Sequence, residues 1–201
     1  TIKQGCVMIA IIDYKMGNLR SVENALKRLG AEFVVTADAE VIRRADRVLL
    51  PGVGNAAEAM QNLRDADLVD VIRSLRRPVL GICVGMQVMC RHSEEGDVDC
   101  LNIFDSRVKH FVPAPDVKVP HMGWNQIGNL ESKLFKGLDG GSYVYFVHSY
   151  YPELCPDTIA TSRHGVMFSA ALKYENFYGT QFHPEKSGDV GERIIENFLK
   201  L

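Results

Sequence analysis

The sequence lacks a net charge of any size, a long apolar run, a paired-cysteine motif and any internal repeat. Its 23 Lys and Arg residues stand against 25 Asp and Glu, a formal charge of -2. Such a balance creates no field that would draw a polyanion or an anionic membrane, so nucleic-acid and membrane-surface roles are set aside. No apolar run reaches the ~18 residues of a membrane span. The opening TIKQGCV lacks the basic-then-apolar order of a secretory signal. Cysteine is scarce and odd in number: Cys6, Cys83, Cys90, Cys100 and Cys155, widely spaced and without a CxxC pair. That argues against a disulfide framework and a zinc ribbon and for a reducing cytoplasm. No metal and no cofactor are expected. What is present is ordinary for a soluble globular chain: 201 residues, 46% hydrophobic and 24% charged. A chain of this length buries about 70% of its extended surface on folding, enough for a core without staples.

The apolar pattern reads as an α/β fold. Met8 to Ile12 is a short continuous apolar run, the mark of a strand covered on both faces. Leu19, Val22, Leu26 and Leu29 then recur at helical spacing, and Gly30 suits a left-handed helix cap. Phe33–Thr36, Arg47–Leu50 and Pro78–Ile82 read as further strands. One or two helices are expected between Asn55 and Leu75, and another from Val84 to His92. Strand alternating with helix points to a flavodoxin-like, doubly wound, mostly parallel sheet with helices on both faces. From Leu101 onward the runs are shorter and broken by Pro, Gly and Asn. Arg107–Phe111, Tyr143–Val147, Val166–Leu172 and Tyr178–Gln181 suggest additional mixed strands appended to the sheet. A last helix, Val190–Leu201, buries Ile194, Ile195, Phe198 and Leu199. Residues 8–201 are expected to form one domain. Residues 1–7 are expected to be a disordered tail or a vector-derived or upstream-start remnant.

The chemistry concentrates in Gly81-Ile82-Cys83-Val84-Gly85, the G-x-nucleophile-x-G pattern with cysteine at its centre. A strand running straight into a helix strains the residue between them and projects it at the carboxyl edge of the sheet. The helix N-terminus then favours a thiolate. The plainer reading is a buried cysteine between two structural glycines. A thiolate needs a base, and His183 follows another strand, with Glu185 two residues on, across Pro184, to orient it. His148 is the rival base among the other histidines. Pro51-Gly-Val-Gly54, again after a strand, could lend one amide to an oxyanion hole, with the amide of Val84 as the other. It is no phosphate loop, since no Gly-Lys-Ser or Gly-Lys-Thr follows. Gln87 lies one helical turn beyond Cys83, on its face. Glu94 and Glu95 read as solvated, and Trp124 as either core or an interface anchor.

GICVGMQ at 81–87, PGVG at 51–54 and QFHPEKS at 181–187 together resemble the class I, or triad, glutamine amidotransferases. More narrowly, DYxxGNLRSV at 13–22, PHMGWN at 120–125 and HSYY at 148–151 resemble the glutaminase subunits of imidazole glycerol phosphate synthases. The resemblance runs from Met8 to the C-terminus. It implies hydrolysis of L-glutamine to glutamate and ammonia through a cysteine thioester. The ammonia would pass to a partner, a (β/α)8-barrel cyclase that makes imidazole glycerol phosphate and aminoimidazole carboxamide ribotide in histidine biosynthesis. It implies Cys83 as nucleophile, His183 as base then acid, Glu185 as orienter, and Val53 and Val84 as oxyanion amides. Gly52, Gln87, Glu95, Ser149 and Tyr150 would hold glutamine; Asn18, Trp124, Tyr145 and Lys186 would face the cyclase. Lys15 stands where that family often has glycine. The alternatives are the glutaminases of anthranilate, GMP or pyridoxal phosphate synthesis, against which PHMGWN argues, and a cysteine redox sensor, which would not need the His-Pro-Glu pair.

Overall fold

A computed structural model describes residues 7–201. The expected extension therefore lies, except for Val7, outside the described residues; Val7 is half-buried and packs against the core. In chain order the elements are β1 (Met8–Ile12), α1 (Arg20–Arg28), β2 (Glu32–Thr36), α2 (Ala39–Arg44), β3 (Arg47–Leu50), α3 (Ala56–Asp65), α4 (Val69–Ser74), β4 (Val79–Ile82) and α5 (Val84–Gln87). There follow β5 (His92–Ser93), β6 (Val98–Asp99), β7 (Arg107–His110), β8 (His121–Ile127), β9 (Ser142–His148), β10 (Tyr150–Pro152), β11 (Thr158–His164), β12 (Val166–Tyr174), β13 (Phe177–Thr180) and α6 (Gly188–Leu199).

Seven strands form the main sheet in the order β11-β12-β13-β4-β3-β1-β2. From β2 to β13 every pairing is parallel, and β12 and β11 extend that edge antiparallel. The central strands are apolar because helices cover both faces: Ile9 to Ile12, Val48 to Leu50 and Val79 to Ile82 are buried. The α/β reading holds. The later strands only partly join that sheet. β10-β7-β5-β6 form a separate four-stranded sheet, and β8 and β9 pair alone as a hairpin in which Trp124 opposes Tyr145.

Gly30, at φ 68°, ends α1 as expected; the amides of Gly30 and Ala31 return to the carbonyls of Lys27 and Leu26. The expected helix from Val84 to His92 is in fact a single turn. The carbonyls of Val88, Met89 and Cys90 accept amides from Leu101, Ile103, Phe104 and Asn102, which diverts them from a continuing helix. α6 does bury Ile194, Ile195, Phe198 and Leu199.

Candidate active site

β4 ends in the middle of the parallel sheet, and the next residue, Cys83, takes φ 55° and ψ -114°. A side chain rarely adopts that backbone, and it persists only where the surroundings enforce it. They do so from both sides. The Cys83 amide still pairs with the Thr180 carbonyl at 2.8 Å, while the amides of Met86 and Gln87 already return to the Cys83 carbonyl. Both glycines of the motif are spaces. A Cβ on Gly81 would lie 2.6 Å from Met89 Sδ, and one on Gly85 would run into the Leu50 carbonyl oxygen. Cys83 is thus a buried, strained elbow between two glycines that the packing requires. Because α5 is one turn long, few peptide dipoles align behind the sulfur, and thiolate stabilisation falls to individual neighbours.

His183 follows β13, its amide held by the Tyr145 carbonyl at 3.0 Å. From Pro184 the chain makes a single 3-10 turn instead of running on extended, yet the pair meets: His183 Nδ1 lies 2.6 Å from Glu185 Oε1. Both side chains are buried. A carboxylate can only accept, so Nδ1 carries the proton; Nε2, like Glu185 Oε2, is buried without a partner. Burial alone would lower the proton affinity of this imidazole. The neighbouring Cys83 sulfur and the hydrogen-bonded Glu185 carboxylate outweigh it and raise the pKa to about 10. No hydrogen bond joins Nε2 to Sγ in this conformation, so the influence of the sulfur is best read as that of its charge.

Cys83 and His183 line one cavity of about 180 Å³. Of the residues expected to hold glutamine, Gln87, Glu95, Ser149 and Tyr150 line it too, and so does His148. Gln87 is buried, as the helical spacing predicts; its Nε2 donates to the Tyr150 carbonyl at 3.1 Å and to Gln181 Oε1 at 2.8 Å. Glu95 is not a solvated charge. Its Oε1 accepts the amide of Ala56, the first residue of α3, at 2.6 Å. Burial raises its carboxyl pKa against the pull of that bond. Gly52 is off this cavity, on a smaller one of about 20 Å³ that Asn18, Glu185 and Lys186 also line.

The oxyanion hole is not assembled. The Val84 amide donates to the Gly52 carbonyl at 3.2 Å. The Gly52–Val53 peptide is trans, so its N–H points the opposite way from that carbonyl. The expected convergence of the Val53 and Val84 amides therefore needs that peptide to turn over. Tyr14, which the sequence reading did not single out, holds the preceding peptide: its buried hydroxyl donates to the Pro51 carbonyl at 2.6 Å. Burial, and then the charge of Cys83, push the Tyr14 pKa upward. On the outer side Val53 packs against Gly17, at φ 85°, two residues after Lys15, which has φ 64°.

Trp124 is 56% exposed, so it is not core; it stands edge-on to Tyr145, with ring centroids 6.1 Å apart. Lys186 and Asn18 are exposed as well. His148, the rival base, is spoken for: its Nδ1 bonds the Tyr150 carbonyl at 2.7 Å and its Nε2 lies 2.8 Å from His121 Nδ1. Gln181, at the end of the expected strand Tyr178–Gln181, brings its Nε2 to 3.7 Å from Cys83 Sγ. A glutamine at a strand end carries no signal that would have singled it out. Among the described residues, no group of three His, Cys, Asp or Glu side chains could hold a metal ion. No helix there is long and apolar enough to cross a membrane.

Residues 10–201 match the family described as glutamine amidotransferase class-I. The chain is 57% identical over 194 residues to the imidazole glycerol phosphate synthase subunit HisH of Bacteroides thetaiotaomicron, covering 96% of this chain and 99% of that one. It is 47% identical over 194 residues to the HisH subunit of Xanthomonas euvesicatoria, covering 96% and 97%. In fold it is similar to a glutamine amidotransferase of Thermotoga maritima, with a TM-score of 0.65 at 18% identity over 96% of this chain and 82% of that one.

Proposed function

The chain belongs to the class-I glutamine amidotransferases, among the HisH subunits of imidazole glycerol phosphate synthase, and from that premise we propose how its site works. The chain is a glutaminase that releases ammonia from L-glutamine for histidine biosynthesis. The observation that carries the residue roles is the cavity shared by a strained cysteine and His183, whose imidazole is bonded behind the cavity wall to the buried Glu185.

In this reading His183 takes the proton of Cys83, and the sulfur attacks the side-chain amide carbon of glutamine. Glu185 fixes the imidazole tautomer at Nδ1 and balances the charge that forms. The tetrahedral oxyanion is met by the amide of Val84 and, after the Gly52–Val53 peptide turns over, by that of Val53. His183 returns its proton to the departing ammonia, leaving a γ-glutamyl thioester that water hydrolyses to glutamate. Gln87, Glu95, Ser149 and Tyr150 hold the substrate from the cavity wall, and Gly52 contributes through the turning peptide.

A subunit of a synthase has a partner. The partner proposed is a (β/α)8-barrel cyclase that meets Asn18, Trp124, Tyr145 and Lys186 and receives the ammonia directly. Free ammonia near neutral pH is mostly protonated and useless as a nucleophile, so release into bulk water would waste it. The Val84–Gly52 bond supplies a gate: while it stands, one oxyanion donor is spent and the other points away. We read residues 8–201 as one domain, since one contiguous core includes residues of both halves, and place the protein in the cytoplasm.

The test is glutamate release by the purified chain, alone and with cyclase plus its ribulosyl ligand, beside a Cys83→Ala control. Stimulation of at least ~100-fold that disappears in the control is expected, the usual weight of one oxyanion donor. Equal turnover with and without the cyclase would remove the gate, and no turnover in either would remove the glutaminase reading.

A further inference from the structure

The Tyr150 carbonyl can only accept hydrogen bonds, and two donors reach it: His148 Nδ1 at 2.7 Å and Gln87 Nε2 at 3.1 Å. This fixes the orientation of the Gln87 amide. Its second N–H reaches Gln181 Oε1 at 2.8 Å, so Gln181 must present its carbonyl oxygen to Gln87 and its nitrogen to Cys83 Sγ, 3.7 Å away. Behind Tyr150 the polarity is just as determined. With its proton on Nδ1, neutral His148 offers a lone pair at Nε2, which takes the Nδ1–H of His121 at 2.8 Å. His121 Nε2 in turn faces Asn125 Nδ2 at 3.2 Å, and that nitrogen also donates to the Arg163 carbonyl at 2.9 Å. Two backbone carbonyls, at Arg163 and Tyr150, thus set the direction of every bond between β8 and the nucleophile.

We propose that Gln181 is a further catalytic residue, whose side-chain N–H donates to the Cys83 thiolate with a polarity imposed through Gln87 by the Tyr150 carbonyl. Gln181 is fully buried, and its backbone amide is tied to the Ala170 carbonyl at 2.8 Å, so the donor does not wander. The other hydrogen-bond partner of Sγ among the described residues is the Val147 carbonyl at 3.9 Å. That is an acceptor and favours the protonated thiol. A donor on the opposite account favours the ionised, nucleophilic form. With only one helical turn behind the sulfur, this N–H is the hydrogen-bond donor that reaches it among the described residues. Its use in glutamine hydrolysis rests on the function proposed above; its effect on the sulfur does not.

The experiment reads the sulfur directly. Cys83 in the free full chain is alkylated with iodoacetamide across a pH series, and the Cys83 peptide is quantified by mass spectrometry. Gln181→Met, similar in length but without a donor, is expected to move the pH midpoint of alkylation upward by about one unit, the effect of a weak charge-assisted hydrogen bond. Gln181→Glu keeps an acceptor for Gln87 but turns a carboxylate oxygen to the sulfur, and is expected to move it further. In the complex with cyclase, Gln181→Met is expected to lower kcat about tenfold with little change in KM. A midpoint that stays at the wild-type value in the folded methionine variant overturns the proposal; if that variant does not fold, the glutamate variant decides in the same way. A shifted midpoint in a chain that releases no glutamate would sustain the role of Gln181 while removing the glutaminase reading.

Discussion

One wall of the cavity at Cys83, where β4 turns into α5, is held by bare backbone pressed against backbone; another, from the end of β9 into β10, is held by hydrogen bonds between neutral histidines. At the first wall Gly81 and Gly85 leave no room even for a methyl group, and the strained Cys83 is locked between Thr180 and its own helical turn. At the second, His148 and His121 share a proton-ordered bond among Phe111, Phe146 and Phe168. The difference teaches that the nucleophile wall should answer to volume and hardly to pH, and the histidine wall to pH.

Acid breaks the second wall, and this is the largest effect expected. Burial lowers the pKa of His121 to about 4 and that of His148 to about 3. The unfolded chain takes up both protons near pH 6.5, whereas the folded chain refuses them until about 4 and 3. Their neutral-form stability is therefore complete above pH 6.5 and is lost as the pH falls below it. Between pH 6 and 5 the two histidines should take up about 1.8 protons on unfolding, a contribution of about 2.4 kcal/mol per pH unit to the slope in urea titrations. His121→Leu should cut that slope by about one proton; an unchanged slope would mean that the pair is not held neutral.

Gly85→Ala breaks the first wall. The new Cβ meets the Leu50 carbonyl, which is backbone and cannot swing aside, so β3 or α5 must move. A loss of about 3 kcal/mol is expected, with no added pH dependence between 5 and 7. A cost under 1 kcal/mol would show that the wall yields.

Cys83→Gly sharpens the comparison by separating strain from chemistry. Glycine takes φ 55° and ψ -114° without penalty, so the variant should gain about 1 kcal/mol over Cys83→Ala while releasing no glutamate. Equal stability of the two variants would mean that the elbow stores no strain.

How far the sequence revealed these walls follows from the same contrast. The first is built from short apolar runs, a breaker after each and glycines at fixed offsets, all visible along the chain. The His-Pro-Glu pair was visible too, although its backbone turn was not. The second wall was hidden because β8 inverts the usual rule: His121 is buried while Met122 and Trp124 face outward, so no apolar alternation marks a strand. Gln181 was hidden because its partners come from residues far away along the chain. α5 was overestimated because the buried run through Cys90 looks helical until the amides of residues 101–104 take its carbonyls.

The smallest effect concerns the loop at Lys15, two residues before Gly17, on which Val53 of the cavity wall packs. Its φ of 64° is the left-handed region, which costs a side chain roughly 1 kcal/mol. The side chain is exposed, and the Lys15 amide donates to Asp13 Oδ1 at 3.3 Å. Lys15→Gly removes the backbone cost but loosens the unfolded chain, so a net gain of about 0.5 kcal/mol is expected in urea titrations. The same loop carries Gly17, against which Val53 packs beside the peptide that must turn over. If strain at Lys15 is local, the variant should gain that stability with its stimulation by the cyclase unchanged. A change in stimulation without a change in stability would instead mean that Lys15 acts on the Gly52–Val53 peptide through the Gly17–Val53 contact.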